Sequence, residues 1–576
     1  MNFATSPVLE LKLPLWRSRF IALLLCCGFT VLAGRAVYLQ GMHTDFLQAK
    51  GELRYGRVIQ ISANRGRITD RHGEILAVST PVKSIWAIPE EVKFDARQLS
   101  GLAALLEMPR REITDRIANS GRDFVFIKRQ IPPELAERVA ALRIAGLFQD
   151  HEYRRYYPGG EVMAHVLGFT GAEDAGLEGV ELAFEKHLAG KAGSRRVIRD
   201  RLGQIVEDVE SIRAAQEGMS LSLALDARIQ SLAFSKLKAA VLQHRAKAGS
   251  IVVLDPGTGE VLALANLPTY NPNNRARLAG AQLRNRALTD TFEPGSTLKP
   301  FTIAEGLEMG RITPQSTIQT APGSLTIGAA TIRDAHATGL LTVEQIIQKS
   351  SNVGAAKIAL MLPAKAMWSM FRSVGFGAAP RLGFPGEASG RLRPYKTWRP
   401  IEQATMAYGH GISLSLLQLA HAYSVFARDG EMVPLSLTRV NAPGIPQRIF
   451  SAQTARRMRH MLELAVNVDG TAPRAQIMGY RVAGKTGTAH KQENGGYAAH
   501  KYVSSFVGFA PASRPRLVIA VMIDEPSNGK YYGGAVAAPV FARVMEGALR
   551  LIGVPPDAPM KPIELPQPGQ EVKESI

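Results

Sequence analysis

One apolar segment near the N-terminus constrains this chain more than any other feature. Residues 20–34 carry no charge, and Val37–Leu39 extend the apolar run beyond Arg35. The run approaches the ~20 residues that cross a bilayer as a helix. Because Arg17 and Arg19 precede it, the positive-inside rule places the N-terminus in the cytoplasm. A cleaved signal peptide is the alternative, but the run is long for one and its Ala-Gly-Arg sequence is a poor cleavage site.

The composition narrows the function classes. The only two cysteines, Cys26 and Cys27, lie inside this apolar segment, which excludes an internal disulfide framework or a thiolate metal cluster in the remainder. We expect no metal and no cofactor. The net charge of +19 suits nucleic acid, anionic lipid or an acidic polymer. The basic residues do not form one block with interleaved aromatics, so no nucleic-acid partner is expected.

The pattern after the anchor changes near Gly218. Before it, short β-like runs alternate with helical patterns, no cluster resembles a catalytic site, and the region is interpreted as a scaffold domain. After it come a helix capped by Asp226, two apolar runs flanking a turn at 255–259, and late in the chain the apolar strand Leu517–Ile523 with the helix Pro539–Leu551. This order predicts an α+β domain whose antiparallel sheet is built from both ends of the domain, with helices against it.

The predicted boundaries follow from these changes. The Pro-rich end of the chain is interpreted as a disordered tail. The four segments are a cytoplasmic tail and membrane anchor at 1–45, a scaffold domain at 46–215, the α+β domain at 216–554 and the tail at 555–576.

Ser296 and Lys299 form the first chemical motif. Residues three apart share a helix face, and Pro300 requires that helix to begin close to Ser296. A buried lysine can lose its proton and act as a base for a serine nucleophile. The same spacing occurs at Ser235–Lys238 and Ser527–Lys530, so spacing alone does not identify a nucleophile and its base.

Two further motifs follow in the chain. Ser350 and Asn352 offer a hydroxyl and an amide, although Ser62-Ala63-Asn64 has the same spacing. Lys485-Thr486-Gly487-Thr488 lies in a predicted strand, where Gly487 would let a ligand approach the backbone. Each motif alone is weak evidence for a functional site.

In this order, the three motifs resemble the Ser-x-x-Lys, Ser-x-Asn and Lys-Thr-Gly set of penicillin-recognising enzymes. Three stretches, 285–300, 398–423 and 531–541, look like class B penicillin-binding proteins, and 65–77 and 154–168 look like their pedestal domain. Phe292-Glu293 favours the division-specific group, of the penicillin-binding protein 3 type, over the elongation-specific group.

The resemblance implies a fold and an activity. The fold is that of a penicillin-recognising serine transpeptidase, α+β, with an antiparallel sheet, helices on both sides and an all-helical subdomain. A single transmembrane helix and an elongated α+β pedestal precede it. The activity is D,D-transpeptidation of peptidoglycan stem peptides at the division septum, which β-lactams inhibit.

It also implies residue roles. Ser296 attacks the carbonyl between the two terminal D-alanines, Lys299 takes its proton, and Ser350 relays a proton to the leaving D-alanine. Asn352 holds the peptide amide, and Lys485 supplies positive charge. Thr486, Gly487 and Thr488 make up the substrate-binding strand, where the two threonines bind the carboxylate.

The alternatives and partners also come from the resemblance. A β-lactamase or carboxypeptidase shares the fold, but the anchor and pedestal argue against a β-lactamase. A β-lactam sensor would have several membrane helices, whereas one is predicted here. A non-catalytic scaffold would not need all three motifs. The expected partners are stem peptides, β-lactams, the inner membrane, a polytopic glycosyltransferase and other divisome membrane proteins.

The basic flank and single apolar run predict one crossing of the inner membrane, with the large domain in the periplasm. We expect protease added to spheroplasts to digest that domain. Protection of the domain would contradict this topology, and a mature N-terminus near Arg35 would replace the anchor with a signal peptide.

Overall fold

The computed structural model describes residues 14–42, 56–118, 124–199, 205–276, 278–493, 496–563, 565 and 574. Near the N-terminus, the helix Leu15–Val37 continues into a π-helical turn at Tyr38–Met42. Together they give a span, Leu15–Gly41, of 27 residues that is long and apolar enough to cross a membrane. At 1.5 Å per residue the span is about 40 Å long. The predicted membrane-crossing helix is therefore present in length and composition.

The chain divides into two compact units. The first comprises residues 1–63, 81–153 and 191–216. It contains a three-stranded antiparallel sheet with Gly193–Arg199 between Gly56–Ile61 and Ile205–Arg213. Its other elements are the strand Val125–Ile131 and the helices Ala96–Leu106, Arg110–Ala118 and Pro133–Ala140. These helices cover an apolar cluster that includes Leu102, Ile113, Ile127 and Val139.

The second unit comprises residues 64–80, 154–190 and 217–576. Its early segments contain the short strand Ile68–Thr69, a 3₁₀ turn at Gly160–Val162, and the short helices Ala164–Leu167, Gly179–Ala183 and Glu185–Leu188. Two longer strands, Ile75–Ala87 and Leu147–Tyr156, belong partly to each unit.

A five-stranded antiparallel sheet is the centre of the second unit. Its strands are β1 (Ala248–Leu254), β2 (Val261–Leu267), β3 (Ala483–Glu493), β4 (Gly496–Ala510) and β5 (Leu517–Asp524). Their order is β2-β1-β5-β4-β3. The predicted hairpin is β1–β2, and the predicted late strand is β5, which pairs with β1. The sheet is thus built from both ends of the domain, as predicted.

Helices cover both faces of this sheet. Alternate residues of each strand point to opposite faces. Ile251 and Val521 share an apolar cluster with the helices Ala227–Gln243 and Ala538–Leu551. Val252 and Ala520 share another with the helix Leu416–Ala427. The predicted Asp226 cap is confirmed, because its carboxylate accepts from the N–H groups of Arg228 and Ile229.

The segment between β2 and β3 is mainly helical, in agreement with the predicted helical subdomain. Its longer helices are Lys299–Glu308, Val343–Lys349, Asn352–Leu360, Ala364–Ser373, Pro400–Met406, Leu416–Ala427 and Ala452–Leu464. Its short helices and 3₁₀ turns are Gly280–Leu283, Arg286–Thr289, Gly295–Leu298, Tyr395–Thr397 and Pro473–Ala475. A further short helix, Gly533–Val536, follows β5. Its short strand pairs are Thr317–Gln319 with Leu340–Thr342, Ser324–Ile327 with Ala330–Arg333, and Glu431–Met432 with Gln447–Arg448.

The alternating pattern of Ser220–Leu225 predicts a strand just after Gly218, but the strand in the structure is shorter, Leu221–Ser222, and pairs in parallel with Ile68–Thr69. The predicted disordered tail at 555–576 lies mostly outside the described residues. Its described start, up to Ile563, has no helix or strand.

A buried ion cluster holds the early segments of the second unit together. Glu181 is fully buried, and its carboxylate accepts from Arg65 Nε at 2.6 Å and from Arg155 Nε at 2.7 Å. Both arginine side chains are only 1% exposed. Arg65 also pairs with Glu185 at 2.6 Å. Buried charges of this kind are tolerable only while each keeps its partner.

We predict that Glu181→Ala lowers the thermal unfolding midpoint, because it leaves two buried guanidinium groups without their shared carboxylate. Removing one partner of a buried pair costs about 3–5 kcal/mol of unfolding free energy. Glu546→Ala, which breaks an exposed pair with Arg550 on one helix, is the matched control. Exposed pairs contribute about 0–1 kcal/mol. Equal midpoints for the two variants, measured by calorimetry, would show that the buried cluster is not stabilising.

Candidate active site

Ser296 lies on a 3₁₀ turn at Gly295–Leu298 that leads directly into the helix Lys299–Glu308. Pro300 falls in the first turn of that helix, where its missing N–H costs nothing, as the sequence predicted. Gly295 has φ +57°, and a Cβ there would lie 3.1 Å from the Thr488 carbonyl oxygen. Glycine at this position therefore lets the turn approach β3 closely.

Lys299 is the centre of the candidate site. Its Nζ is within hydrogen-bond distance of Ser296 Oγ at 2.9 Å and of Ser350 Oγ at 3.0 Å, and it also donates to the Ser350 carbonyl oxygen. The side chain is completely buried. Burial lowers its pKa well below the usual range, and the positive charge of Lys485 lowers it further. A neutral amine can donate to Ser350 while its lone pair accepts the Ser296 hydroxyl proton.

Ser350 and Asn352 are positioned by a helix junction. Ser350 ends the helix Val343–Lys349 in a left-handed conformation, with φ +60° and ψ +41°, and Asn352 begins the next helix. Asp334 holds the junction, since its carboxylate accepts from Ser351 Oγ at 2.6 Å and from the Val353 N–H at 3.0 Å. It also accepts from the Asn352 N–H. Sequence analysis missed Asp334, which no short motif includes.

Asn352 has one unused hydrogen-bonding group. Its amide nitrogen donates to the Arg333 carbonyl oxygen at 3.2 Å, but its Oδ1 is buried without a hydrogen-bond partner. Buried polar atoms are normally paired, so an unpaired one in a site suits a ligand that can donate. A peptide N–H is such a donor.

Lys485, Thr486 and Thr488 lie on β3, all buried. The Lys485 Nζ lies 3.4 Å from both Thr471 Oγ1 and Thr486 Oγ1. Burial lowers the pKa of Lys485 to about 8, against the opposing effect of the Glu574 charge. Lys485 therefore keeps its proton at neutral pH, whereas Lys299 is the more easily deprotonated lysine.

Gly487 is closely surrounded by other segments of the chain. A Cβ there would lie 2.5 Å from Ser505 Oγ, 2.6 Å from the Pro294 carbonyl oxygen and 2.9 Å from Thr297 Cγ2. The chain's own nucleophile turn therefore approaches Gly487 closely, and whether a ligand also does so stays a prediction of the sequence. Gly487 lets the segment that carries Ser296 pack against β3.

Glu574 completes the site and was not foreseen. Its Oε2 accepts from Thr488 Oγ1 at 2.9 Å, and its Oε1 accepts from the Gly534 N–H at 2.8 Å. It is 4% exposed, and burial raises its pKa while the charge of Lys485 opposes this. A glutamate in a Pro-rich tail offers no sequence signal for such a contact.

Glu293 joins three segments around the nucleophile turn. Its carboxylate accepts from the Gly411 N–H at 2.8 Å, from Gln492 Nε2 at 2.9 Å and from Tyr497 OH at 3.0 Å. Since Gln492 lies on β3 and Tyr497 on β4, Glu293 ties the end of this hairpin to the segment before Ser296. Its role is structural. Among the described residues, no group of three or more His, Cys, Asp or Glu side chains is placed to hold a metal ion.

Comparison with known proteins gives consistent results. Residues 249–546 match the family described as the penicillin binding protein transpeptidase domain, and residues 60–223 match the penicillin-binding protein dimerisation domain. The chain is 43% identical over 548 residues to the probable peptidoglycan D,D-transpeptidase PenA of Neisseria gonorrhoeae, covering 94% of each. It is 42% identical over 550 residues to the peptidoglycan D,D-transpeptidase FtsI of Escherichia coli K12, covering 94% of this chain and 93% of the relative.

A solved structure extends the likeness to three dimensions. The TP domain of penicillin-binding protein 3 from Burkholderia pseudomallei is 48% identical, with a TM-score of 0.55. The match covers 58% of this chain and 98% of that domain.

We predict that the rate constant for acylation of Ser296 by a penicillin falls as the pH rises through about 8, because Lys485 then loses its proton and its charge. Burial lowers the pKa of Lys299 well below the usual range, and loss of the Lys299 proton would produce the base and raise the rate, so it cannot cause the fall. The measurement is gel labelling with a fluorescent penicillin over a series of pH values.

Lys485→Arg is the matched variant, because a guanidinium stays protonated to above pH ~12. Its labelling rate, even if lower at neutral pH, should not fall between about pH 8 and 10. A rate that keeps rising in the unsubstituted protein from about pH 8 to 10 would contradict the assigned charge state of Lys485.

Proposed function

Because this chain belongs to the penicillin-binding protein transpeptidase family, we propose that it is a serine-type peptidoglycan D,D-transpeptidase that works through an acyl-enzyme on Ser296. The observation that carries the proposal is the placement of one buried lysine, Lys299, between the hydroxyls of Ser296 and Ser350. That arrangement provides a base for a nucleophile and a route for a proton to a leaving group.

The first half-reaction forms the acyl-enzyme. Ser296 Oγ attacks the carbonyl carbon between the two terminal D-alanines, and its proton passes to the neutral Lys299 Nζ. The C–N bond then breaks. Ser350 delivers its hydroxyl proton to the leaving amine and is reprotonated from Lys299, so the terminal D-alanine departs as a neutral amine. The N–H groups of Ser296 and Thr488 stabilise the oxyanion.

Substrate contacts follow from the same geometry. The unpaired Asn352 Oδ1 accepts the N–H of the donor peptide. Thr486 and Thr488 bind its terminal carboxylate, and the charge of Lys485 stabilises it. Gly487 lies between these two threonines on the substrate-binding strand, and its lack of a Cβ lets the nucleophile turn pack against that strand.

The second half-reaction cross-links two strands. An amine from a neighbouring stem peptide attacks the acyl carbonyl carbon and gives up a proton to Ser350, whose own hydroxyl proton passes to Lys299. The ester bond to Ser296 then breaks, and Lys299 returns a proton to Ser296 Oγ. A hydrolase would instead need a water held and activated by a base, for which class A β-lactamases use a glutamate. Each described carboxylate at this site, Glu293, Asp334 and Glu574, is already engaged in hydrogen bonds.

We place this activity at the division septum and at the inner membrane. Phe292-Glu293 and the likeness to a penicillin-binding protein 3 domain support division over elongation. The apolar helix with basic residues before it supports a single crossing, with a cytoplasmic N-terminus and a periplasmic catalytic domain. We assign the pedestal to 46–215, the transpeptidase domain to 216–554, and the membrane contacts with a polytopic glycosyltransferase to the anchor and pedestal.

We predict that Ser296→Ala abolishes covalent labelling by a fluorescent penicillin, because the nucleophilic oxygen is gone while the buried surroundings of the turn are kept. The measurement is gel fluorescence together with the mass of the labelled peptide. Ser235→Ala is the matched control, since Ser235 precedes Lys238 by the same spacing but is exposed on the helix Ala227–Gln243.

The fate of the adduct separates a cross-linking enzyme from a hydrolase. Intact-mass measurements should show a penicilloyl group that persists on Ser296, and a thioester donor should pass its acyl group to an added D-amino acid. Labelling that survives Ser296→Ala would refute the nucleophile. Rapid loss of the adduct as penicilloic acid, without transfer to the amine, would indicate a β-lactamase.

A further inference from the structure

The proposed substrate-carboxylate site already contains a carboxylate, and it comes from the same chain. Glu574, in the tail 555–576, is held by one side-chain hydroxyl and one backbone N–H. The hydroxyl belongs to Thr488 and the N–H to Gly534, so each carboxylate oxygen has its own donor. Bidentate capture of this kind is typical of a site built for a carboxylate.

The surroundings of this contact are specific. A Cβ at Gly534 would lie 2.3 Å from the Thr471 carbonyl oxygen and 3.1 Å from Glu574 Oε1, so only glycine lets the N–H reach the carboxylate. The Gly533 N–H donates to Thr488 Oγ1 at 3.0 Å, which leaves the Thr488 hydroxyl hydrogen for Glu574. The positive charge of Lys485 acts on the same carboxylate.

The base of the tail is fixed near this strand. Asp557 accepts from the Arg481 N–H at 2.8 Å and also from Ser513 Oγ, and the Ala558 N–H donates to the Gly479 carbonyl oxygen at 3.0 Å. Arg481 lies two residues before β3, the strand that carries Lys485 and Thr488. The tail therefore leaves the body of the domain beside the strand whose middle it contacts again at Glu574.

The tail is long enough for Glu574 to reach Thr488 from the point near Arg481 where the tail leaves the domain. From Ile563 to Glu574 there are 574 − 563 = 11 residue steps. At ~3.3 Å per residue these steps reach at most about 36 Å. From Arg481 to Thr488 along a strand is about 23 Å. A tether of this length gives a weak ligand a high effective concentration at the site.

We propose that the tail is a built-in competitor of the donor substrate, with the Glu574 carboxylate occupying the place of the terminal carboxylate of a D-alanyl peptide. This rests on the proposed function. A donor peptide or a β-lactam must displace Glu574, because both carboxylates need the Thr488 hydroxyl and because two adjacent anions repel. The tail thus lowers the reactivity of Ser296 without touching the nucleophile.

The test compares full-length protein with Glu574→Gln and with the matched control Glu571→Gln, which removes the same charge three residues earlier. The second-order rate constant for acylation by a fluorescent penicillin is measured at neutral pH. If the tail occupies the site for about two-thirds of the time, Glu574→Gln should react about threefold faster. Glu571→Gln should react at the unsubstituted rate.

A synthetic peptide of residues 564–576 gives the second measurement. Added to the full-length Glu574→Gln variant, it should slow acylation in a concentration-dependent way, and the same peptide with glutamine at 574 should not. Equal rate constants for Glu574→Gln and the unsubstituted protein, or an equal increase with Glu571→Gln, would overturn the proposal. Ser296 would still be labelled in that case, whereas failure of the proposed function would show as labelling that Ser296→Ala does not remove.

Discussion

The site depends on keeping two buried lysines in different charge states. In the proposed mechanism, Lys299 is neutral when it accepts the Ser296 proton, and Lys485 is charged when it attracts a carboxylate. Both are completely buried, so desolvation lowers both pKa values, and the charge on Lys485 lowers that of Lys299 further. The nearby carboxylates act against this effect. Since Glu574 acts on both lysines and Asp334 raises the pKa of Lys299 alone, the lower pKa of Lys299 comes from its burial and from the neighbouring Lys485 charge.

That burial is a product of the fold. Lys485 lies on the edge strand β3, while Lys299 begins a helix whose residues are almost all buried. Two glycines allow the parts to meet, since Gly295 and Gly487 leave no Cβ between the nucleophile turn and β3. Glu293 then ties the same turn to the β3–β4 hairpin. Small changes in packing would therefore change the distance between Lys299 and Lys485, and with it the effect of the Lys485 charge on the pKa of Lys299.

Sequence reasoning succeeded where the signal was local. The hairpin β1–β2, the strand β5, the Asp226 cap and the proximity of Ser296 to Lys299 all follow from spacing within a few residues. Asp334, Glu181 and Glu574 were missed because each acts on residues distant in sequence, and a lone carboxylate has no pattern that identifies its partner. For Gly487 the sequence predicted a close approach to the backbone, and the structure shows such an approach by Pro294 and Thr297 of the nucleophile turn. The meeting of Ser296, Ser350 and Lys485 was expected only from family resemblance, because periodicity does not bring three distant segments together.

The pairing of β1 with β5 has a consequence for how the protein is made. Leu254 pairs with Val518, a separation of 518 − 254 = 264 residues. Contacts this distant in sequence are slow to form, because a long loop must close before they stabilise anything. During synthesis, the edge of β1 that later binds β5 has no partner until most of the domain has emerged. An unpaired apolar strand edge is prone to associate with other chains. The domain therefore needs protection from aggregation during biogenesis, and the duration of that need is set by the length of the helical segment inserted between the two halves of its sheet.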